Sequence, residues 1–358
     1  MVIDGNLPAS IAQAVQALRA GQLVGLPTET VYGLAADASS SQAVAAIFAA
    51  KGRPADHPLI VHVAGAEAVA HFAANVPAFA QKLMAAFWPG PLTVILARRP
   101  GVADAAAGGQ DSVGLRCPAH PVAQAVLQAL AATGKLVGDV GEVADSTSTS
   151  SASTANTDAN TPPIYGLAAP SANLFGRISP TTAAHVQAEL GNGLLVLDGG
   201  ACAVGIESTI VDCSRGAPVL LRPGAVSRAQ IEAACGQRLL AKEELPAQVP
   251  RVPGSLDAHY APHAKLRLMP AKALQTALDV LGADAAHIAV YCRSALRTAS
   301  SRIVMRRMPD DAAAAAQQLF AVLRSFDDQK VKLIWVEIPP YTPDWDGVND
   351  RLTRAAAS

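Results

Sequence analysis

The chain has 358 residues, 28 Lys+Arg against 29 Asp+Glu and a formal net charge of −1, and that length suggests about two domains at ~150 residues each. Charged residues are only 16% of it, against ~25% in an ordinary soluble domain, and the even balance excludes a nucleic-acid binder that works by bulk basic charge. Five scattered cysteines with no C-x-x-C pair argue against a disulfide framework or a structural zinc site, no apolar run approaches the ~20 residues that cross a bilayer, and the N-terminus lacks a signal-peptide pattern, so the expectation is a soluble, cytoplasmic protein.

Ser10 is placed to cap a helix running through Arg19, with Gly21 as its stop. Residues 22–26 then read as a strand ending at Pro27, 41–50 as helix and 59–63 as a buried strand. A helical pattern spans 66–87, strands follow at 92–97 and 112–116, and 121–132 reads as helix. Residues 141–161 are almost all Ser, Thr, Ala, Asn and Asp from Ser146 onward, a composition that cannot bury enough apolar surface to offset its ordering entropy. That stretch reads as a mobile insertion between core elements. Strand-like runs return at 194–198, 208–213 and 218–222. Some are joined by turns alone, which predicts a mixed α/β sheet. Residues 239–264 carry Pro246, Pro250, Pro253, Gly254 and Pro262, the chemistry of an extended linker. Beyond it, strands near 265–269, 287–292, 302–305 and 331–337 alternate with helices at 270–281, 310–325 and 347–356, predicting a small parallel α/β domain.

No P-loop, protein-kinase set, H-E-x-x-H or G-x-S-x-G occurs, and the C-terminal part has no G-x-G-x-x-G. The scarce cations are informative instead. Lys51 and Arg53 sit at a helix end, and Arg116 and Arg222 at strand ends, each near Pro or Gly. Converging there, they could form an anion pocket; singly, the plainer reading of each is a helix cap or a partner for a surface carboxylate. Hydroxyls and amides gather at turns: Thr28 and Thr30 after the first strand, Ser171 and Asn173, Ser179, and Ser208 before a strand. For Ser179 the plainer reading is a helix cap. His62 alternates with apolar residues and reads equally as core or ligand contact, while His57 reads as a loop residue. His259-Tyr260 between prolines is unusual for an inert spacer and suggests a linker that docks on a site.

In this order the segments PTETVYGL (27–34), KGRP (51–54), HPLIVHV (57–63), WPGPLTVIL (88–96), LRCPAHP (115–121), APSAN (169–173), SPT (179–181), GIESTIVD (205–212), LLRPG (220–224), HYAP (259–262) and NDRLTRAA (349–356) resemble the YrdC/Sua5 family, in its long Sua5-type form. The resemblance covers nearly the whole chain. It implies a YrdC-like domain over 1–238 with an open, twisted mixed sheet, a linker acting as a lid over 239–264, and a smaller Rossmann-like parallel α/β domain over 265–358. It implies an L-threonylcarbamoyladenylate synthase, a nucleotidyltransferase. Such an enzyme joins L-threonine, bicarbonate and ATP, releases pyrophosphate, and feeds N6-threonylcarbamoyladenosine formation at tRNA position 37 through partner enzymes that accept the adenylate. By the same resemblance Lys51 and Arg53 are catalytic and lie at the ATP phosphates. The ATP set further includes His57, Ser112, Ser171, Asn173, Ser179, Arg222, His259 and Tyr260. Thr28, His62, Arg116 and Ser208 make the threonine pocket. Mg²⁺ is expected on the triphosphate, not in a protein cage. Two other readings compete. Carbamoyl-adenylate formation, as in hydrogenase-maturation carbamoyltransferases, would come with paired C-x-x-C fingers and an acylphosphatase-like domain, which this chain lacks. An RNA-binding module is disfavoured as the primary role by near-neutral charge and few aromatics, leaving at most a weak RNA contact.

Overall fold

The computed structural model describes residues 1–132, 162–244, 250–254 and 258–357. The inserted segment read at 141–161 lies outside these. Eleven strands form one sheet: β1 (Val2–Asp4), β2 (Val24–Leu26), β3 (Gly33–Asp37), β4 (Ile60–His62), β5 (Leu92–Ala97), β6 (Ser112–Arg116), β7 (Leu167–Ala168), β8 (Leu195–Asp198), β9 (Thr209–Asp212), β10 (Val219–Arg222) and β11 (Leu240–Ala241). Their order is β1-β8-β2-β3-β7-β4-β6-β5-β9-β10-β11, with parallel and antiparallel neighbours intermixed and the edge strands unjoined. This is an open mixed sheet. A second sheet, in the order β12-β15-β13-β14, is built from β12 (Lys265–Met269), β13 (Ile288–Cys292), β14 (Val304–Arg307) and β15 (Leu333–Glu337), all parallel.

The period-two alternation of strand side chains sorts residues onto two faces. On one face Val61, Val94, Leu96, Leu115 and Val211 pack under α2 (Ser41–Lys51), α3 (Val69–Phe72) and α4 (Ala78–Phe87). On the other, α1 (Pro8–Arg19) and α5 (Pro121–Ala131) cover β2, β3 and β8 through Val15, Leu18, Val126 and Leu127. They do not reach β4, β5, β9 and β10, whose Ile60, Ile95, Ile210 and Leu221 are covered by Val252 of the linker. That part of the face carries the candidate site.

Several local expectations need correction. Ser10 is not the cap of α1: the helix begins at Pro8, whose fixed φ suits the first turn, and Ser10 lies buried inside it. The helix expected over 66–87 is broken. A 3₁₀ turn and the single turn α3 end at Phe72, Ala73 bridges to Arg98, and α4 starts only after Pro77, which cannot continue a preceding helix. Ser179 caps nothing; Thr182 caps α6 (Ala183–Leu190) through the His185 amide. Strands β1, β3, β7 and β11 and the helix α7 (Arg228–Cys235), closed by a Ser227/Gln230 capping box, had no place in the sequence reading. β11 falls inside the segment read as linker and pairs with β10.

The two sheets share a core. In the second sheet α8 (Ala271–Leu281) lies on one face, against Val290 and Trp335. α9 (Ala312–Asp328) and α10 (Asp346–Ala356) lie on the other. The cluster of Leu319, Phe320, Trp345 and Leu352 takes in Val31, Ile178 and Ile206 from the first sheet's loops and Tyr260 from the linker. Gly205 marks how close this approach is. Its φ is +80°, and a Cβ there would come within 2.3 Å of the Gln317 carbonyl oxygen of α9. Among the described residues no helix is long and apolar enough to cross a membrane. Gly205→Ala is therefore expected to destabilise the protein by about 2–4 kcal/mol, through backbone strain together with overpacking, measured as a shift in the urea midpoint.

Candidate active site

Two strand ends and one helix end deliver the cations. α2 ends at Lys51 and stops at Gly52, which takes the left-handed conformation with φ 61°. The chain thus turns sharply and presents Arg53 one residue on. β6 ends at Arg116. β10 ends at Arg222, where the ladder to β9 shifts register, a bulge that re-aims the side chain. Arg53, Arg116 and Arg222 all line one cavity of ≈ 40 Å³ with His62, Ser171, Glu207, Ser208, His259 and Tyr260.

Lys51 is buried, and its Nζ donates to the Ser171 carbonyl at 2.6 Å and to the Asn173 carbonyl. It anchors the APSAN loop and sits just behind the cavity wall. Burial, and then the neighbouring Arg53, push its ammonium down to about 7. Arg53 donates to the Pro58 carbonyl at 2.9 Å and lies 5.8 Å from the Phe175 ring. Burial draws its guanidinium down to about 10. Arg222 donates to the Ser208 carbonyl at 2.8 and 3.1 Å and to Pro253 of the linker at 2.9 Å. These three cations are held by carbonyl oxygens rather than acids, so no carboxylate cancels their charge.

Arg116 differs. It forms a 2.7 Å ion pair with Glu29 and donates to Thr30 Oγ1 at 2.8 Å and to the Gly90 carbonyl at 3.3 Å. The cation that the resemblance places in the threonine pocket is thus already paired with an acid. Thr28 ties the preceding turn, donating to the Val31 carbonyl at 2.5 Å and sharing a 2.9 Å contact with Thr30. Thr28 thus supports Arg116 from behind and does not line the cavity. His62 is the register partner of Arg116 across β4 and β6. It is buried, and that burial plus Arg116 hold it well below the usual histidine range, hence neutral. Ser208 shares a 2.7 Å hydroxyl contact with Thr93.

Other expected residues are spread around this centre. Ser179 donates to Glu207, and Asn173 donates to the Leu174 and Arg177 carbonyls at 2.7 and 2.9 Å. His57 stands edge-on to Phe175 at 5.4 Å, outside the cavity wall. Ser112 opens β6 four residues before Arg116, about 13 Å away along the strand. It shares the face of Gly114, whose register partner Ile60 lines the cavity. Ser112 therefore belongs to an extension of the floor, not to the enclosed pocket.

From above, Tyr260 places its ring 5.4 Å from Phe320 and 4.1 Å from His259. Its φ is 63°, and Gly254 lets it come close: a Cβ on that glycine would meet the Tyr260 hydroxyl at 2.3 Å. Burial pushes the Tyr260 hydroxyl up to about 12 and His259 down to about 3. The sequence reading passed over Glu29, Glu207 and Arg351. Glu207 lines the cavity. Arg351 on α10, fully buried, pairs with it at 2.9 Å. All three stood inside quoted motifs. The usable signal was that an acid beside a basic site in a charge-poor chain needs a defined partner.

Arg53 Nε, His62 Nδ1, His259 Nδ1, the Tyr260 hydroxyl and Asn173 Oδ1 are buried without hydrogen-bond partners. Buried polar atoms are rarely left so. Four belong to cavity-lining residues and the fifth to the loop held by Lys51. Together they make this a polar, cationic pocket with hydrogen-bonding capacity for a ligand.

The buried histidines also set a pH dependence. Unfolded, each binds a proton near its ordinary value of 6.5, whereas folded His62 and His259 stay neutral far below it. The unfolded state thus binds more protons as pH falls below 6.5, and stability present above that pH is lost. The expected slope is about 1.4 kcal/mol per pH unit for each histidine. Urea titrations from pH 7 to 4.5 measure it, and a His62→Gln/His259→Gln variant is expected to show a shallower slope.

A family model described as telomere recombination, for the Sua5/YciO/YrdC domain, matches residues 16–224. A second, described as the threonylcarbamoyl-AMP synthase C-terminal domain, matches 226–357. The chain is 34% identical over 364 residues to the threonylcarbamoyl-AMP synthase of Bacillus subtilis, covering 97% of this chain and 92% of the relative. It is 38% identical over 252 residues to that of Pyrococcus abyssi, covering 70% and 64%. The crystal structure of P. abyssi Sua5 complexed with L-threonine matches with a TM-score of 0.81 and 30% identity, covering 99% of this chain and 97% of that one. Both sheets fall within this similarity, and the chain belongs to the Sua5/YrdC family.

Proposed function

We propose that this chain is a threonylcarbamoyl-AMP synthase, a nucleotidyltransferase acting on L-threonine, bicarbonate and MgATP. The observation that carries it is the set of unpartnered buried polar atoms facing carbonyl-held cations, next to a neutral histidine and a neutralised arginine. The site is thereby divided. The half with Lys51, Arg53 and Arg222 is cationic and suits a triphosphate. The half with His62, Arg116, Glu29 and Ser208 carries little net charge and suits a small zwitterion.

The chemistry asks for positioning more than covalent help. The threonine amine takes the bicarbonate carbon, losing water, to give a carbamate. A carbamate oxygen then forms a bond to the α-phosphorus as the bond to the β-phosphate oxygen breaks, and pyrophosphate leaves. Lys51, Arg53 and Arg222 would offset charge on the phosphoryl oxygens, and the fixed walls would hold the carbamate in line. His62 offers its free Nδ1, and Arg116 its edge, to threonine. Mg²⁺ would arrive as part of the nucleotide, bound mostly by phosphate oxygens and water. Pro253, Gly254, His259 and Tyr260 of the linker wall the ≈ 40 Å³ cavity, so the linker would shift for ATP to enter and reseat with the Tyr260 ring against the nucleotide. The adenylate would then pass to partner enzymes that modify tRNA.

The test is pyrophosphate release from ATP, expected to require both L-threonine and bicarbonate; turnover indifferent to threonine would overturn the assignment. Lys51→Ala and Arg53→Ala are each expected to lower turnover by about 100-fold or more, with circular dichroism reporting a retained fold. ATP should also raise the Lys51 pKa from about 7, because an anion beside a lysine favours its charged form. Binding near pH 8 is therefore expected to take up most of one proton, read by calorimetry in buffers of different ionisation enthalpy and lost in Lys51→Ala.

A further inference from the structure

The chemistry above uses nothing from the second sheet, yet α10 contacts three segments at or beside the cavity wall: Glu207, the turn after Arg222, and Tyr260 of the linker. Arg351 pairs through Nε with Glu207 Oε2 at 2.9 Å and donates through Nη2 to the Glu207 carbonyl at 3.0 Å. Its Nη1 donates to the Pro223 carbonyl at 2.7 Å, directly after Arg222, and to Asp350 at 3.0 Å. Its guanidinium lies 5.5 Å from the Tyr260 ring. On the same helix the Arg354 carbonyl accepts the His259 amide at 3.3 Å, and Gly347 packs against Ile206 and Gly224. A helix that merely closed its own domain would not need a fully buried arginine with five such contacts.

Glu207 explains the need. It is the acid in the wall of a cavity otherwise suited to a polyanion, with Arg222 on β10 and Lys51 on α2 facing it and Tyr260 and His259 above. An unpaired carboxylate there would repel a triphosphate and compete for Arg222. Arg351 holds one of its oxygens and Ser179 the other. Burial pushes this carboxyl up, but Arg351 and Arg222 more than offset it, so it stays below the usual range and charged. A guanidinium fork suits this bidentate, buried work better than an ammonium.

We propose that Arg351 is a positioning residue for the nucleotide half of the site. It acts through Glu207 and the Tyr260 ring, so that docking of the second sheet completes the ATP-binding surface. This rests on the functional reading above. The experiment uses the full chain with Arg351→Met, Arg351→Lys and Arg351→Met/Glu207→Gln. Arg351→Met is expected to raise the KM for ATP about 10–100-fold and to leave the KM for threonine within about threefold. Removing the stranded acid in the double variant is expected to recover at least about tenfold of the loss. Hydrogen exchange at amides 259–261 is expected to quicken in Arg351→Met while β4–β6 stays protected. Equal changes in both KM values, no recovery in the double variant, or unchanged exchange would each overturn the proposal. Should Arg351→Met fail to fold, Arg351→Lys is read the same way: its ATP KM is expected to rise about 3–10-fold, since the charge remains and the fork is lost, and a wild-type KM overturns the proposal. Wild-type protein that releases no pyrophosphate sinks the functional reading instead, and linker exchange still reports on Arg351.

Discussion

A charged carboxylate deep in a protein costs several kcal/mol unless it is paired and hydrogen-bonded, and Glu207 meets that condition with a partner from the other sheet. Its 2.9 Å pair with Arg351 crosses between the sheets, with the two side chains 9% and 0% exposed. Around it the sheets are not separately closed: Phe320, Trp345 and Leu352 pack with Val31, Ile206 and Tyr260 in one cluster. The cavity itself is walled by the first sheet, its loops and the linker, and the second sheet's helix α10 backs two of its wall residues, Glu207 and Tyr260. The close approach at Gly205, the seat of the linker and the orientation of Glu207 are parts of the same packed arrangement.

The chain spends few charges and places them with economy. Lys51 and Arg222 are buried against backbone carbonyls, which satisfy their hydrogen bonds without cancelling their charge. Arg116 and Arg351 are buried against Glu29 and Glu207, which cancel it. Two kinds of buried cation thus stand in or beside one site, told apart by whether a carbonyl or a carboxylate is their partner. Desolvation pushes Lys51 down to about 7 and keeps His62 neutral, so an anion bound beside Lys51 draws a proton onto it near neutral pH.

The long periodic elements were legible in the chain. β5, β6, α2, α5 and the strand–helix alternation of the second sheet lie close to where the apolar patterns put them, because each buries a whole face and so repeats its pattern. Short elements were not. β7 has two residues and β1 three, and pairing with neighbours distant in sequence decides them, not local propensity. The break at Pro77 was readable in principle, but the apolar content of 66–87 masked it.

Of the candidate site, the cations at element ends and the His-Tyr pair in the linker were readable as residue types in suggestive places. The ordered series of motifs pointed to the family, and membership is now shown. What local pattern could not supply is which atoms are already satisfied. Thr28 and Ser179 are hydroxyls near the site by sequence, but folding turns one into a turn lock and the other into a donor to Glu207. Arg116 is a cation by sequence, but Glu29, 87 residues earlier, neutralises it. Arg351 stands 144 residues from Glu207 and belongs to another sheet. By itself the sequence determined which chemical groups are available, their period and their order along the chain. Only the tertiary structure decided which charges are cancelled and which remain, because pairing and desolvation depend on distance in space and not along the chain.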